Sequence, residues 1–101
     1  MATLRTHRQV NSDIREAALW YEERCAGLGE KFIDAVWGAA RMIPENPLRN
    51  AARFDDVRRL SLKRFPYSIW YFFIGDTTYV LGVIHNKRDY RWLLEQRRKQ
   101  S

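Results

Sequence analysis

The chain has 101 residues, of which 46% are hydrophobic and 14% aromatic, and its formal net charge at pH 7 is +6. A chain of this length buries roughly two thirds of the surface that its unfolded form exposes, so we expect residues 1–101 to form one domain around one core. The single cysteine, Cys25, excludes an internal disulfide, and the sequence has neither a signal peptide nor the roughly 18 consecutive apolar residues of a membrane span, so a cytoplasmic protein without a membrane partner is expected.

The first half of the sequence predicts a short strand followed by two helices. Leu4 to His7 is the strand candidate, and the Asn-Ser-Asp cluster at 11–13 is expected to cap a first helix, which Gly27 ends. Both helices have one apolar face, made of Ile14, Ala17, Ala18, Tyr21 and Cys25 in the first and of Leu28, Phe32, Ala35, Val36, Ala39 and Ile43 in the second. Two amphipathic helices joined by a short link predict an antiparallel helical hairpin.

The second half predicts strands. Residues 48–56 are polar and indicate a loop. After it, Leu60 and Leu62 alternate with Arg59, Ser61 and Lys63, as on a half-exposed strand with one apolar and one basic face. Residues 67–74 are apolar on both faces, which is typical of a strand covered on both sides. Gly75-Asp76 is expected to supply two positive φ angles for a tight turn into a further strand at 77–84.

The C-terminal segment from residue 90 to residue 99 predicts a short last helix. We expect Trp92 to pack this helix on the sheet and residues 97–99, Arg-Arg-Lys, to form a solvated basic tail. The predicted fold class is α+β: a two-helix antiparallel hairpin packed on a small, mainly antiparallel sheet in the order βααβββ, with a short C-terminal helix.

The basic charge is concentrated in the second half of the chain. Residues 1–48 hold 6 Lys/Arg against 7 Asp/Glu, whereas residues 49–101 hold 12 against 5. This asymmetry predicts an acidic partner, either a nucleic acid or an acidic protein segment. Trp20 and Trp37 lie beside the apolar helix faces, and exposed tryptophans are frequent anchors of protein interfaces.

Motifs for cofactor chemistry are missing from the sequence. It has no Gly-rich phosphate loop, no metal-ligand spacing of His, Cys, Asp or Glu, and no Gly-x-Ser-x-Gly elbow, so we expect neither a cofactor nor a metal. Trp70 and Tyr71, with basic flanks, would suit an RNA-binding sheet if they were exposed. The two-sided apolar pattern of their strand favours burial instead.

Five short motifs carry a family resemblance. In chain order they are Asp13-Ile14-x-x-Ala17-Ala18-x-x-Tyr21-Glu22, Gly27-Leu28-Gly29-Glu30-x-Phe32, Asn46-Pro47, Arg64-Phe65-Pro66-Tyr67, and Val83-Ile84-His85-x-x-Arg88 before Trp92. Together they resemble the RelE/ParE superfamily of bacterial toxins, and the ParE branch most closely.

This resemblance implies the toxin component of a type II toxin–antitoxin module. A ParE-like toxin inhibits DNA gyrase by binding, without catalysis, and is neutralised by a cognate ParD-like antitoxin in a toxin–antitoxin hetero-oligomer. The chain alone is not expected to bind a specific DNA sequence. The candidate antitoxin contacts are Trp20, Trp37, Arg58, Arg59 and Lys63.

The alternative within the superfamily is a RelE-like, ribosome-dependent and metal-independent messenger endoribonuclease. That reaction needs a base, phosphate-binding cations and an acid, for which the candidates are His85, Arg88, Arg59 and Lys63, with Tyr71 or Tyr90. In RelE-like nucleases, however, an arginine that faces the phosphate stands at the position of Ser68, and a tyrosine stands at the position of Leu94. This chain therefore departs from the nuclease pattern at both positions. We therefore expect His85 to hydrogen-bond a neighbour and fix the turn into the last helix; an inactive remnant that only binds antitoxin is the third possibility.

Overall fold

The computed structural model describes residues 2–101, in which one five-stranded sheet is covered by helices on both faces. The α+β class and the helical hairpin are as predicted. The elements in chain order are β1 Thr3–Thr6, α1 Val10–Arg24, α2 Leu28–Ala40, two short 3₁₀ turns at Ile43–Glu45 and Pro47–Arg49, β2 Ala52–Phe54, β3 Val57–Ser61, β4 Tyr67–Ile74, β5 Thr77–His85 and α3 Arg91–Lys99.

The sheet has the strand order β1-β5-β4-β3-β2, in which β1 pairs parallel to β5 and the other neighbours are antiparallel. The β4–β5 hairpin lies at its centre, with partners from Tyr67 opposite His85 to Ile74 opposite Thr77. Gly75 has a φ of 58° in the hairpin turn, but Asp76 does not share the left-handed region, so the prediction of two positive φ angles was wrong.

The two faces of the sheet contact two separate hydrophobic cores. The α1–α2 hairpin covers one face, where Phe32 and Val36 pack with Ile69, Tyr71 and Val80. Helix α3 covers the other face, and its Leu94 packs with Trp70, Phe72, Leu81 and Ile84. The central strand is therefore apolar on both sides because both sides are buried. Trp70 and Tyr71 are 2% and 0% exposed, which leaves neither ring free to stack on an RNA base.

The segment predicted as a loop at 48–56 contains β2, which adds one strand to the predicted order. Ala52 and Arg53 are exposed and only Phe54 is buried, so the segment lacks the apolar alternation by which a strand is recognised. The turn into β3 uses Asp55 at a φ of 46°, a left-handed conformation that Asp adopts more readily than most residues.

The capping cluster predicted at 11–13 does not start α1. The helix begins one residue earlier, at Val10, after Gln9, and no side chain caps it. Asp13 instead contacts α3 and β5. Its carboxylate accepts two hydrogen bonds from Arg97 of α3, at 2.6 and 2.9 Å, and one from the backbone N–H of Val83 of β5 at 3.1 Å.

Arg97 is consequently buried, and the prediction of a solvated basic tail at 97–99 was wrong for this residue. Its guanidinium also donates to the carbonyl of Leu81 at 3.0 Å. Leu81 is the extra residue of a β-bulge in β5, opposite Trp70 and Tyr71 of β4. Gly82 follows the bulged residue, and a Cβ there would lie 2.8 Å from the Arg97 guanidinium. Asp13, Arg97 and the bulge thus join α1, β5 and α3 into one polar cluster inside the protein.

Trp92 does not pack α3 on the sheet as predicted. Its side chain is 71% exposed, whereas Leu94 and Arg97 make the buried face of the helix. Arg98 also packs on the sheet. Its guanidinium lies 3.7 Å from the Phe72 ring centroid and donates two hydrogen bonds to the Asp56 carboxylate, at 2.9 and 3.2 Å.

Candidate interaction surfaces

His85 and Arg88, the first two nuclease candidates, line the same cleft of about 730 Å³. The cleft lies between α1 and the adjoining ends of β4 and β5. Trp20 and Glu16 of α1 form one wall, and Tyr67 forms part of the other. This volume is in the range of small-ligand or side-chain pockets.

Polar groups in this cleft are partly held by their neighbours. The His85 ring lies edge-on to Tyr67 with centroids 5.1 Å apart, and its Nδ1 accepts a hydrogen bond from the backbone N–H of Lys87 at 3.1 Å. The carbonyl of His85 accepts a further bond from the N–H of Arg88, so His85 organises the turn that follows β5. Burial raises the pKa of the Tyr67 hydroxyl, while the charge of Arg88 opposes this rise and that of Glu16 adds to it.

The remaining nuclease candidates lie elsewhere. Arg59 extends over Trp70 on the face of the sheet that α3 covers, whereas His85 packs on Tyr67 on the hairpin face. Lys63 lines a different groove, between α2 and β3. The sheet therefore separates the proposed base from one of its proposed phosphate cations, and the four residues do not form one site.

The two tyrosine candidates for the nuclease make contacts inside the protein. The hydroxyl of Tyr71 donates to the carbonyl of Pro47 at 2.7 Å and accepts from the Asn50 amide at 3.3 Å. Tyr90 stacks on Trp70 with ring centroids 4.2 Å apart.

Ser68, which stands in place of a phosphate-facing arginine, is completely buried. Its hydroxyl donates to the side-chain oxygen of Asn86 at 2.6 Å and shares a hydrogen bond of 3.2 Å with Ser61. Ser68 therefore belongs to a hydrogen-bond network inside the protein and supplies no positive charge for a phosphate.

The outer surface of the helical hairpin carries exposed aliphatic side chains. Leu19 is 56% exposed, and Ile33 of α2 is also exposed. Both line a groove of about 430 Å³ between α1 and α2 that also contains Trp37. Contiguous exposed apolar side chains that include a tryptophan mark a candidate protein contact.

Trp20 belongs to the cleft on the other side of α1, not to this groove. It is 49% exposed, and the guanidinium of Arg24 stacks on its ring at 3.5 Å while donating to the Trp20 carbonyl at 2.8 Å. The two tryptophans predicted as antitoxin contacts therefore belong to two neighbouring surfaces of the hairpin.

The three basic antitoxin candidates also lie in different places. Arg58 donates to the carbonyl of Asn50 at 2.6 Å and lies over the Phe73 ring, so its guanidinium is used inside the protein. Arg59 lies on the opposite face. Lys63 is exposed on the rim of a groove of about 950 Å³, whose floor includes Leu60 and Leu62.

The groove beside Lys63 runs along an open strand edge. Strand β2 pairs with β3 only at Val57 and Arg58, so among residues 2–101 no strand pairs with the outer edge of β3 beyond Arg58. An open edge next to an apolar groove can accept an extended segment of another chain as an added strand.

No group of three or more His, Cys, Asp or Glu side chains within the described part of the chain is arranged to hold a metal ion. No helix of residues 2–101 is long and apolar enough to span a membrane.

The structure is thus a small α+β protein with grooves beside the helical hairpin and an open strand edge, in which the four nuclease candidates do not form one site. The family model that describes the ParE toxin of type II toxin–antitoxin systems, parDE, matches residues 4–90. The chain therefore belongs to the ParE toxin family and is the toxin of a type II toxin–antitoxin system.

A solved structure has the same fold. It is titled as the chromosomal ParDE toxin–antitoxin system from P. aeruginosa, and the match has a TM-score of 0.70 and 19% sequence identity over 84% of this chain and 96% of that one. No curated protein sequence matches the chain.

Proposed function

We propose that this toxin inhibits DNA gyrase by binding it and that a ParD-like antitoxin neutralises the toxin in a hetero-oligomer. The observation that carries the proposal is the match of the ParE toxin family model to residues 4–90. The separation of Arg59 from His85 by the sheet supports inhibition by binding, because a nuclease must hold base and phosphate cations within contact of one phosphodiester.

The antitoxin would use two surfaces. An amphipathic helix fits the groove beside Leu19, Ile33 and Trp37, where it would bury side chains that are now exposed. An extended segment fits the open edge of β3 near Lys63, where backbone hydrogen bonds and the basic rim would favour an acidic strand.

The second candidate is a metal-independent ribonuclease, which the cleft lined by His85 and Arg88 favours because it contains both an imidazole and a guanidinium. The Tyr67 hydroxyl in that cleft would then take a proton-transfer role that the sequence had suggested for Tyr71 or Tyr90.

Controlled expression of the chain with and without its antitoxin tests the proposal. We expect growth arrest that the antitoxin relieves, and the His85→Ala/Arg88→Ala variant should arrest growth as the wild type does. A folded double variant that has lost the arrest, together with cleaved messenger RNA in wild-type cells, would establish the ribonuclease instead. Absence of arrest by the folded wild-type chain would identify an inactive remnant.

A further inference from the structure

The guanidinium of Arg59 has no hydrogen-bond acceptor among the described residues. Its side chain is half-buried, the guanidinium carbon lies 5.7 Å from the centroid of the Trp70 ring, and its Nε is buried without an acceptor. No side chain or backbone carbonyl within residues 2–101 accepts a hydrogen bond from this arginine. Leaving a partly desolvated charge without a partner is unfavourable.

Arg58 and Arg97 also have a buried Nε without an acceptor, but their terminal guanidinium nitrogens are hydrogen-bonded inside the protein. Arg97 makes two bonds to Asp13 and one to a backbone carbonyl, and Arg58, the preceding residue of β3, donates to the carbonyl of Asn50. Two successive arginines on one strand therefore lie on opposite faces, and only the first has an acceptor within the described residues. This contrast points to an acceptor for Arg59 outside the residues described.

The surroundings of Arg59 favour a single carboxylate. On the same face, Arg91 pairs with Glu95 at 2.8 Å and Arg98 pairs with Asp56, so the neighbouring cations are already neutralised. A nucleic-acid backbone needs several unpaired cations in a row. A carboxylate needs only one guanidinium, to which it binds through two parallel hydrogen bonds.

We propose that Arg59 binds a carboxylate side chain of the antitoxin, an inference that rests on the proposed function. The position of the residue supports this partner, because Arg59 is the first residue of β3 beyond the pairing with β2, where the strand edge is open. An extended antitoxin segment on that edge would bring alternate side chains to the Arg59 face of the sheet. The net charge of +6 on the toxin also favours an acidic segment.

The test compares Arg59→Gln with Arg58→Gln, a matched control on the same strand. Binding to the purified antitoxin encoded beside the toxin is measured by isothermal titration calorimetry, and thermal unfolding of each free toxin is recorded by circular dichroism. We expect Arg59→Gln to weaken antitoxin binding at least about tenfold without lowering Tm. Arg58→Gln should lower Tm, because the Asn50 carbonyl loses its donor, while antitoxin affinity stays within about threefold of the wild type.

The possible results separate this inference from the function on which it rests. If Arg59→Gln binds the antitoxin within about threefold of the wild type, the carboxylate contact is wrong although the antitoxin partner stands. Failure of the folded wild-type toxin to bind the antitoxin would overturn the partner itself and this contact with it. If the wild-type toxin binds a single-stranded RNA oligonucleotide and Arg59→Gln abolishes that binding, the acceptor is a phosphate and the proposal is wrong.

Discussion

Removal of the buried Arg97 charge is predicted to destabilise the toxin strongly. Only 7% of the Arg97 side chain and 11% of the Asp13 side chain are exposed, so the pair is shielded from water. In Arg97→Met the Asp13 carboxylate loses both guanidinium bonds and keeps only the N–H of Val83, and the Leu81 carbonyl loses its donor.

Removing one partner of such a pair costs about 3–5 kcal/mol, because the remaining charge stays buried without compensation. Total stabilities of small domains are about 5–15 kcal/mol, so this loss is a large part of the whole. For a domain of this size it corresponds to a fall in Tm of at least about 12 °C.

Urea unfolding of the wild type, Arg97→Met, Asp13→Leu and the double variant measures the effect. The double variant should lose less than the sum of the two single losses by at least about 1 kcal/mol, since it buries no unpaired charge. A loss below about 1 kcal/mol for Arg97→Met, or single losses that add within about 0.5 kcal/mol, would refute the assignment of Arg97 and Asp13 as a coupled buried pair.

Three further predictions concern single residues. Gly82→Ala should cost about 1–3 kcal/mol in urea unfolding, because the new Cβ would come within 2.8 Å of the buried guanidinium; an unchanged midpoint would show that this guanidinium can move aside. Gly27→Ala should cost about 1 kcal/mol since its φ is 87°, whereas Gly38→Ala, in the interior of α2 with open space around it, should stabilise by about 0.5–1 kcal/mol; shifts of the same sign would contradict this account. Hydrogen bonds from Arg98 hold the pKa of Asp56 below its ordinary value, so the stabilisation by this exposed pair, under about 1 kcal/mol, is present above roughly pH 4 and is lost as the pH falls through the folded-state pKa. Asp56→Asn should remove that acid-dependent part of the unfolding free energy, and an unchanged pH profile would contradict the pairing.

The helical hairpin and the central β-hairpin could be predicted because their signals are local. The faces of α1 and α2 repeat with the helical period, and the run from Tyr67 to Ile74 is apolar on both sides because two cores contact it. Strand β2 could not be recognised in this way, because Phe54 is its only buried residue and register with β3 defines it.

The polar cluster around Arg97 depends on contacts between distant parts of the chain. Asp13 at the start of α1 has the sequence signature of a helix-capping cluster, and Arg97 has that of a basic helix end, so each suggested a local role. The two paired residues are 84 positions apart in the sequence. Gly82 leaves space for the Arg97 guanidinium, but it lies inside a strand, where no turn motif indicates a special role for this glycine. A buried polar partner at such a separation has no local pattern.

The candidate site was the least predictable part. The sequence could name charged and aromatic residues, but the division of Arg58 and Arg59 between the two faces, and of Trp20 and Trp37 between two surfaces, depends on the packing of the hairpin. Trp92 was expected in the core because tryptophans usually contribute large buried areas, yet Leu94 and Arg97 occupy the inner face of α3.

A gyrase supercoiling assay with purified toxin, in the presence and absence of the antitoxin, tests the central claim most directly. The account predicts that the toxin alone stops supercoiling and traps cleaved DNA, that inhibition follows the ratio of toxin to gyrase, and that the antitoxin reverses it. Unchanged supercoiling with a folded toxin sample that still arrests growth would contradict gyrase inhibition and would make the cleft at His85 and Arg88 the first site to test for RNA cleavage.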